Sequence, residues 1–187
     1  MAKVRFMISG LEPLLTHNPI SMVSTGKKTS KTKDIPSPEE EAERSTYRNS
    51  DGQFCFPTIG PRNALLVASK QYKVKGRRSS AFADMAHIRP EEEYAVICNG
   101  KGKPATKYSI DTRRAVVQRN GVLRSRARFE LPWSLTFTLI YDEAIANPET
   151  MRDILHDAGN RIGIGDYRPA RWGWFGRFEV TGMEVVK

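Results

Sequence analysis

Between Trp133 and Tyr141 the chain sets Trp133, Leu135, Phe137, Leu139 and Tyr141 at every second position, with Ser134, Thr136 and Thr138 between them. A period of two is the spacing of side chains on one face of an extended strand, so this segment has one wholly apolar side. Such a strand needs partners in a sheet and a second layer to cover that side. Lys3–Gly10 supplies a second strand of the same kind, with Val4, Phe6 and Ile8 alternating against Arg5, Met7 and Ser9. The covering layer reads as helices. Asn147 is a capping residue followed by Pro148 and Glu149, and Met151, Ile154, Leu155, Ala158 and Ile162 then form an apolar stripe at helical spacing. Thr58-Ile59-Gly60-Pro61 gives an earlier helix start with proline at the first helical position, and Ala64, Leu65, Ala68 and Tyr72 fall on one side of it.

The other elements complete an order. Tyr94–Cys98 predicts a strand. Asn120-Gly121 between extended runs predicts the turn of a hairpin. Arg177–Val186 predicts a last strand that buries Phe178 and Val180, with Gly182 marking a bulge before Met183 and Val185. Residues 20–53 are rich in Ser, Thr, Lys, Pro and Glu and predict a long mobile loop, with one helical turn after Ser37. Without the excursions the order is β-α-β-β-α-β. The expected fold is therefore a single α+β domain over residues 1–187 with a ferredoxin-like (RNA-recognition-motif-like) core, in which 99–130 is an inserted basic hairpin.

Composition narrows the function. Lys and Arg number 30 against 21 Asp and Glu, a formal charge of +9, and the charge is segregated. Arg62 to Arg78 holds six basic residues and no acid, and Lys101 to Arg128 holds nine with only Asp111 in opposition. A field of one sign steers polyanions. No apolar run approaches the ~20 residues of a membrane span, and the opening residues alternate with no apolar signal core or cleavage site, so no secretory leader is expected. Cys55 and Cys98 lie in apolar runs and read as reduced thiols, so no membrane association and a cytoplasmic location are expected. His17, His87 and His156 lie in no metal-ligand spacing, so neither a metal nor a cofactor is expected.

Three groups carry candidate chemistry. On the hairpin, Arg124, Arg126 and Arg128 recur every two residues and share a side, opposite Leu123, Ala127 and Phe129, while Arg113, Arg114 and Arg119 load the other arm. Three cations on one strand face repel one another unless an anion lies across them, and guanidinium forks match phosphate. The bland alternative is a solvated edge strand blunted by charge. Gly163–Arg177 mixes four glycines, three arginines (Arg168, Arg171, Arg177) and four aromatics (Tyr167, Trp172, Trp174, Phe175). Its glycines would let backbone N–H groups reach phosphate and its rings would stack bases; alternatively Trp172 and Phe175 fold back as a plug. Lys70, Lys73, Lys75, Arg77 and Arg78 form the third group. Lys73 and Arg77 would share a helical face if the first helix runs that far, the alternative being a solvated helix end.

The strand running into Gly10-Leu11-Glu12-Pro13-Leu14-Leu15-Thr16-His17, the Phe54-Cys55-Phe56-Pro57-Thr58-Ile59-Gly60-Pro61-Arg62 turn and the closing glycine-rich loop with Phe175-Gly176-Arg177-Phe178-Glu179-Val180 together resemble the RAMP superfamily, whose members build the backbone of CRISPR effector complexes. The turn departs from that family's Pro-Gly-Ser-Ser pattern. The resemblance implies a projecting hairpin, head-to-tail filaments on single-stranded RNA, and Arg62 in the place of the basic residue that touches the strand. It also implies a position for a cleaving aspartate in the loop after the first strand, where Asp34 lies beside Lys27, Lys28, Lys31 and Lys33. Asp34 could assist attack of a 2′-hydroxyl or cap the Pro-Glu turn.

The expected function is non-catalytic, sequence-tolerant binding of single-stranded RNA or DNA, RNA favoured, as a homo-oligomer or part of a CRISPR-type or phage ribonucleoprotein. Arg62, Lys73, Arg77, Arg113, Arg114, Arg124, Arg126, Arg128, Arg168, Arg171, Trp172 and Trp174 would carry it. The rivals are an endoribonuclease using Asp34 and a phage protein-interaction module.

Overall fold

The computed structural model describes residues 1–22, 36–73, 79–117 and 120–186. In chain order these form β1 (Ala2–Gly10), β2 (Leu14–Leu15), α1 (Pro38–Arg44), β3 (Tyr47–Arg48), β4 (Phe54–Pro57), α2 (Ile59–Ser69), α3 (Phe82–Ala86), β5 (Arg89–Pro90), β6 (Tyr94–Val96), β7 (Cys98–Asn99), β8 (Ser109–Val117), β9 (Asn120–Phe129), β10 (Trp133–Tyr141), α4 (Pro148–Arg161) and β11 (Phe178–Val186). The architecture is α+β with antiparallel sheets, consistent with a ferredoxin-like core. No helix of the described residues is long and apolar enough to cross a membrane.

The main sheet runs β11-β1-β10-β5, and β7 also pairs with β10. Its register sets Phe6 opposite Phe137 and Ile8 opposite Leu135, so the two alternating strands turn their apolar sides the same way. Val4, Phe6, Ile8, Trp133, Leu135, Phe137, Leu139 and Tyr141 are all buried, in one core with Leu65 and Ala68 of α2 and Ile154, Leu155 and Ala158 of α4. The two helices pack on each other, with α4 against β11 and α2 against β5. α4 follows its sequence signals: Asn147 accepts from the Thr150 N–H and Pro148 opens the helix. β1 pairs Met7 with Gly182 and then Ile8 with Val180, which leaves Thr181 as the extra residue of a bulge beside the glycine.

Several expectations are corrected. The expected strand Tyr94–Cys98 is broken, because β6 leaves the main sheet to pair with β4 while β7 returns to β10. The helix after Thr58 starts at Ile59, so Pro61 is its third residue. Thr58 does not cap it; the hydroxyl instead donates to the Glu92 and Glu93 carbonyls, fixing the helix start to the segment between β5 and β6. Proline is tolerated there because the first turn of a helix has no internal acceptors for its N–H groups. α2 ends at Ser69, and Lys73 lies beyond it, bridged to Ser80, so the helical face expected for Lys73 does not form.

The 20–53 segment is more structured than expected. Residues 23–35 lie outside the described residues, but α1 makes nearly two turns under a complete capping box in which Ser37 accepts from the Glu40 N–H and Glu40 accepts from the Ser37 N–H. This helix packs on β9. Beyond its short pairing with β2, β9 would present unmet N–H groups on its outer edge. Ser45 Oγ accepts from Ala127 N at 2.8 Å and Glu41 Oε2 accepts from Ser125 N at 2.8 Å, so α1 closes that edge with side chains.

The hairpin turn is also displaced. Val117 pairs with Asn120 and Val116 with Gly121, which places Asn120 and Gly121 in β9 and leaves 118–119 as the connection, outside the described residues. This register sets Asp111 opposite Arg126 and Thr112 opposite Ser125, whose hydroxyls bond at 2.9 Å. A turn at Asn120-Gly121 would instead set Arg113 opposite Arg128. Gly121 leaves the space that the Arg114 guanidinium crosses.

Candidate nucleic-acid interface

The hairpin register places Arg113 and Asp111 on the same face as Arg124, Arg126 and Arg128. The glycine-rich loop lies against this face. The Arg113 guanidinium stands 4.7 Å from the Phe175 ring centre and 5.0 Å from that of Trp174, and Arg128 stands 5.7 Å from Phe175. Trp174 stacks on Phe175 at 5.2 Å, and Tyr167 meets Trp174 edge-on. Cations over aromatic faces are attracted to the ring quadrupole, so the loop and the hairpin hold each other.

The electrostatic premise read from the sequence is overturned. The three arginines of β9 do not face one another uncompensated, since each has an acid beside it. Arg124 Nη1 donates to Glu41 Oε1 at 3.0 Å, Arg126 Nε lies 2.5 Å from Asp166 Oδ2, and Arg128 Nε lies 3.1 Å from Glu130 Oε1. On the other arm Arg113 Nε donates to Asp111 at 2.6 Å. The Arg126 and Arg128 Nε atoms are buried beside their acids without hydrogen-bond alignment, so charge is balanced there while donor capacity is not used up. Arg126 is only 9% exposed. Leu123, on the side opposite these arginines, is 73% exposed, whereas Ala127 and Phe129 further along that side are buried.

Three of the four glycine N–H groups are spent inside the protein and are not free to meet a phosphate. The N–H groups of Gly163, Gly173 and Gly176 donate to Ala158, Arg168 and Pro13 carbonyls, and Asp166 N donates to Leu15. A Cβ on Gly173 would stand 1.7 Å from the Tyr167 carbonyl oxygen, and one on Gly176 1.8 Å from that of Ile164. The glycines are there for the loop's own close folding. That folding buries Phe175 as the plug and leaves Trp172 outside: a short 3₁₀ turn at Pro169–Arg171 ends with Trp172 in the left-handed region (φ 62°) and 96% exposed. Trp174 is 44% exposed.

Arg113, Arg114, Ala115, Arg126, Asp166, Tyr167, Arg168 and Arg171 line a cleft of about 640 Å³ between hairpin and loop. Five arginines thus converge on one space with a single carboxylate among its walls. Arg114 and Arg171 are exposed and have no acid partner among the described residues. Burial, with Arg171 alongside, lowers the Arg168 guanidinium from its ordinary value, and Nη1 donates to the Gly165 carbonyl. It remains a cation, as guanidinium does in proteins.

The other predicted residues lie apart. Arg62 spends its guanidinium on the Ile88 and Ala86 carbonyls and the Asn63 side chain, holding α3 against α2. Lys73 does not line the cleft. Arg77, Arg119 and Asp34 lie outside the described residues. Asp166 was not singled out by the sequence reading, although it is the only acid in the glycine-rich loop. Neither was Glu41, which bridges Arg124 and the β9 edge; nothing local in the sequence marks a helix residue as the partner of a strand about 80 positions away.

No protein-family model matches this sequence, and no curated protein matches it. Among solved structures the chain is similar to one from a cryo-EM structure of type III-B Cmr-beta bound to cognate target RNA, with a TM-score of 0.60 at 12% identity. All of this chain is covered, and it spans 61% of the length of that one. The likeness is one of fold.

Proposed function

We propose that the chain binds single-stranded nucleic acid, RNA in preference to DNA, with little regard to sequence, along the arginine cleft and the exposed face of the glycine-rich loop. The observation that carries this reading is the convergence of Arg113, Arg114, Arg126, Arg168 and Arg171 on one cleft beside a tryptophan exposed almost completely. Arg113 and Arg126 are paired with acids, but Arg114 and Arg171 have no acid partner among the described residues, so the cleft keeps a net positive charge that attracts a polyanion, and guanidinium forks bind phosphate oxygens in pairs. An indole exposed this far offers a flat face on which a base can stack.

The fold likeness to a chain of a target-RNA-bound assembly, together with the family resemblance of the sequence, supports RNA as the polyanion and a ribonucleoprotein of CRISPR type as the setting. In that setting the chain serves as a repeating subunit, copies packing head to tail on one strand. The test is direct. Protein purified from cells without nuclease carries nucleic acid, seen in its ultraviolet absorbance, and the stripped protein binds labelled single-stranded RNA more tightly than the same sequence as DNA or as a duplex. Protein that is free of nucleotide and does not respond to oligonucleotides at low salt refutes the proposal.

A further inference from the structure

A second pocket, of about 330 Å³, adjoins the arginine cleft and shares Asp166 and Arg168 with it. Its walls come from one face of α2 running from Ile59 to Val67, from β4, from β3 and from the near side of the glycine-rich loop. Where the cleft is cationic, this pocket is mainly apolar, with the flat rings of His17, Tyr47 and Phe56 and the aliphatic side chain of Val67 among its lining. Two polar groups have spare capacity. The ring nitrogens of His17 make no hydrogen bond among the described residues, since the Tyr47 hydroxyl donates to the His17 backbone carbonyl. Asn63 accepts from Arg62 through Oδ1, which leaves its Nδ2 donors uncommitted. Burial lowers His17 from the usual histidine value, so near neutrality the ring offers one donor and one acceptor.

An apolar slot with flat walls, a few hydrogen-bonding groups and a volume at the small end of ligand sites suits a flat heterocycle. Its continuity with a phosphate-binding cleft supplies one. We infer that the pocket receives a single nucleobase turned out of the strand, while the phosphate of that nucleotide stays at Arg168. The inference rests on the strand-binding reading above and adds to it a base-reading subsite on this face of α2, separate from stacking on Trp172. Edge contacts from His17 and Asn63 give this one position a base preference within an otherwise tolerant site.

The test crosses two proteins with two ligands. The full chain and Val67→Trp, which fills the pocket from a partly exposed position, are titrated with a short single-stranded RNA and with an abasic ribose-phosphate oligomer of the same length; the DNA equivalent runs in parallel. Val67→Trp weakens RNA binding by about tenfold, the scale of one base contact, without changing the salt slope, and leaves the abasic oligomer unaffected. Asn63→Ala, on an exposed position, weakens RNA in the same pattern by about fivefold. DNA loses by the same factor, because the pocket takes the base. If both variants bind RNA as the parent does, or weaken both ligands equally, the base pocket is refuted while strand binding stands. If the parent binds neither ligand, the strand-binding reading fails and the pocket assignment fails with it.

Discussion

Replacing Arg114 and Arg171 together with alanine separates the free cations of the cleft from the paired ones. Both are exposed and have no acid partner among the described residues, so their removal breaks no ion pair there and leaves no carboxylate stranded. Stability should stay within about 0.5 kcal/mol of the parent, as for other surface substitutions. Each phosphate contact on a single strand contributes about 0.7 to the slope of log affinity against log salt, so losing two flattens it by about 1.4. Between about 50 and 200 mM salt the parent should then lose affinity about sevenfold more steeply than the variant. Fluorescence anisotropy of a labelled single-stranded RNA over a salt series reads this directly. Arg124→Ala makes the contrast: Glu41 already neutralises it, so the slope changes less, while the lost pair loosens α1 from β9 and lowers the melting temperature. An unchanged slope in the double variant, or a larger change from Arg124→Ala, would show that the strand does not run through this cleft.

Trp172→Ala should leave the melting temperature unchanged, since the ring is 96% exposed, while weakening RNA binding by about 1–3 kcal/mol in the same anisotropy assay. Arg126→Met should cost about 2 kcal/mol or more in urea unfolding, because it removes the cation from a largely buried pair and leaves Asp166 without it. For His17 the sign follows from burial, its largest cause: the folded ring resists the proton that the unfolded chain accepts near pH 6.5. Arg126 and Arg124 act in the same direction, and Asp166 and Glu41 oppose them. Below that pH the unfolded state binds more protons, so stability falls as the solution is acidified and is unaffected above it. His17→Gln should flatten the acid limb of a melting-temperature profile, and an identical profile would show that His17 does not contribute.

Much of the fold could be read locally because its signals are local. The alternation from Trp133 to Tyr141, the Asn147 cap and the stripe from Met151 to Ile162 each express a period that tertiary contacts reinforce. Where the structure departs from the local signals, distant partners decide. Pro61 signalled the first helical position, but the helix begins two residues earlier, where the Thr58 hydroxyl is held by carbonyls beyond residue 90. Asn120-Gly121 carried a strong turn signal, yet the register that opposes Asp111 to Arg126 put it in the strand. The site was legible in its composition and not in its balance. Arginines and aromatics could be counted along the chain, whereas the acids that pair with them come from α1, from the glycine-rich loop and from the end of β9. Whether Trp172 or Phe175 faced outward depended on the loop's own hydrogen bonding, which spacing does not encode.

Under the proposed strand binding, the carboxylates beside the β9 arginines change what kind of equilibrium binding is. Glu41, Asp166 and Glu130 act as resident competitors, and a phosphate gains only the difference between its own attraction and theirs. For one free phosphate that difference is small. For a polymer the differences accumulate along connected residues whose entropy of association is lost once. On that proposal the protein would pass over the small anions of its surroundings and still engage a long strand, and its affinity should rise sharply with oligonucleotide length.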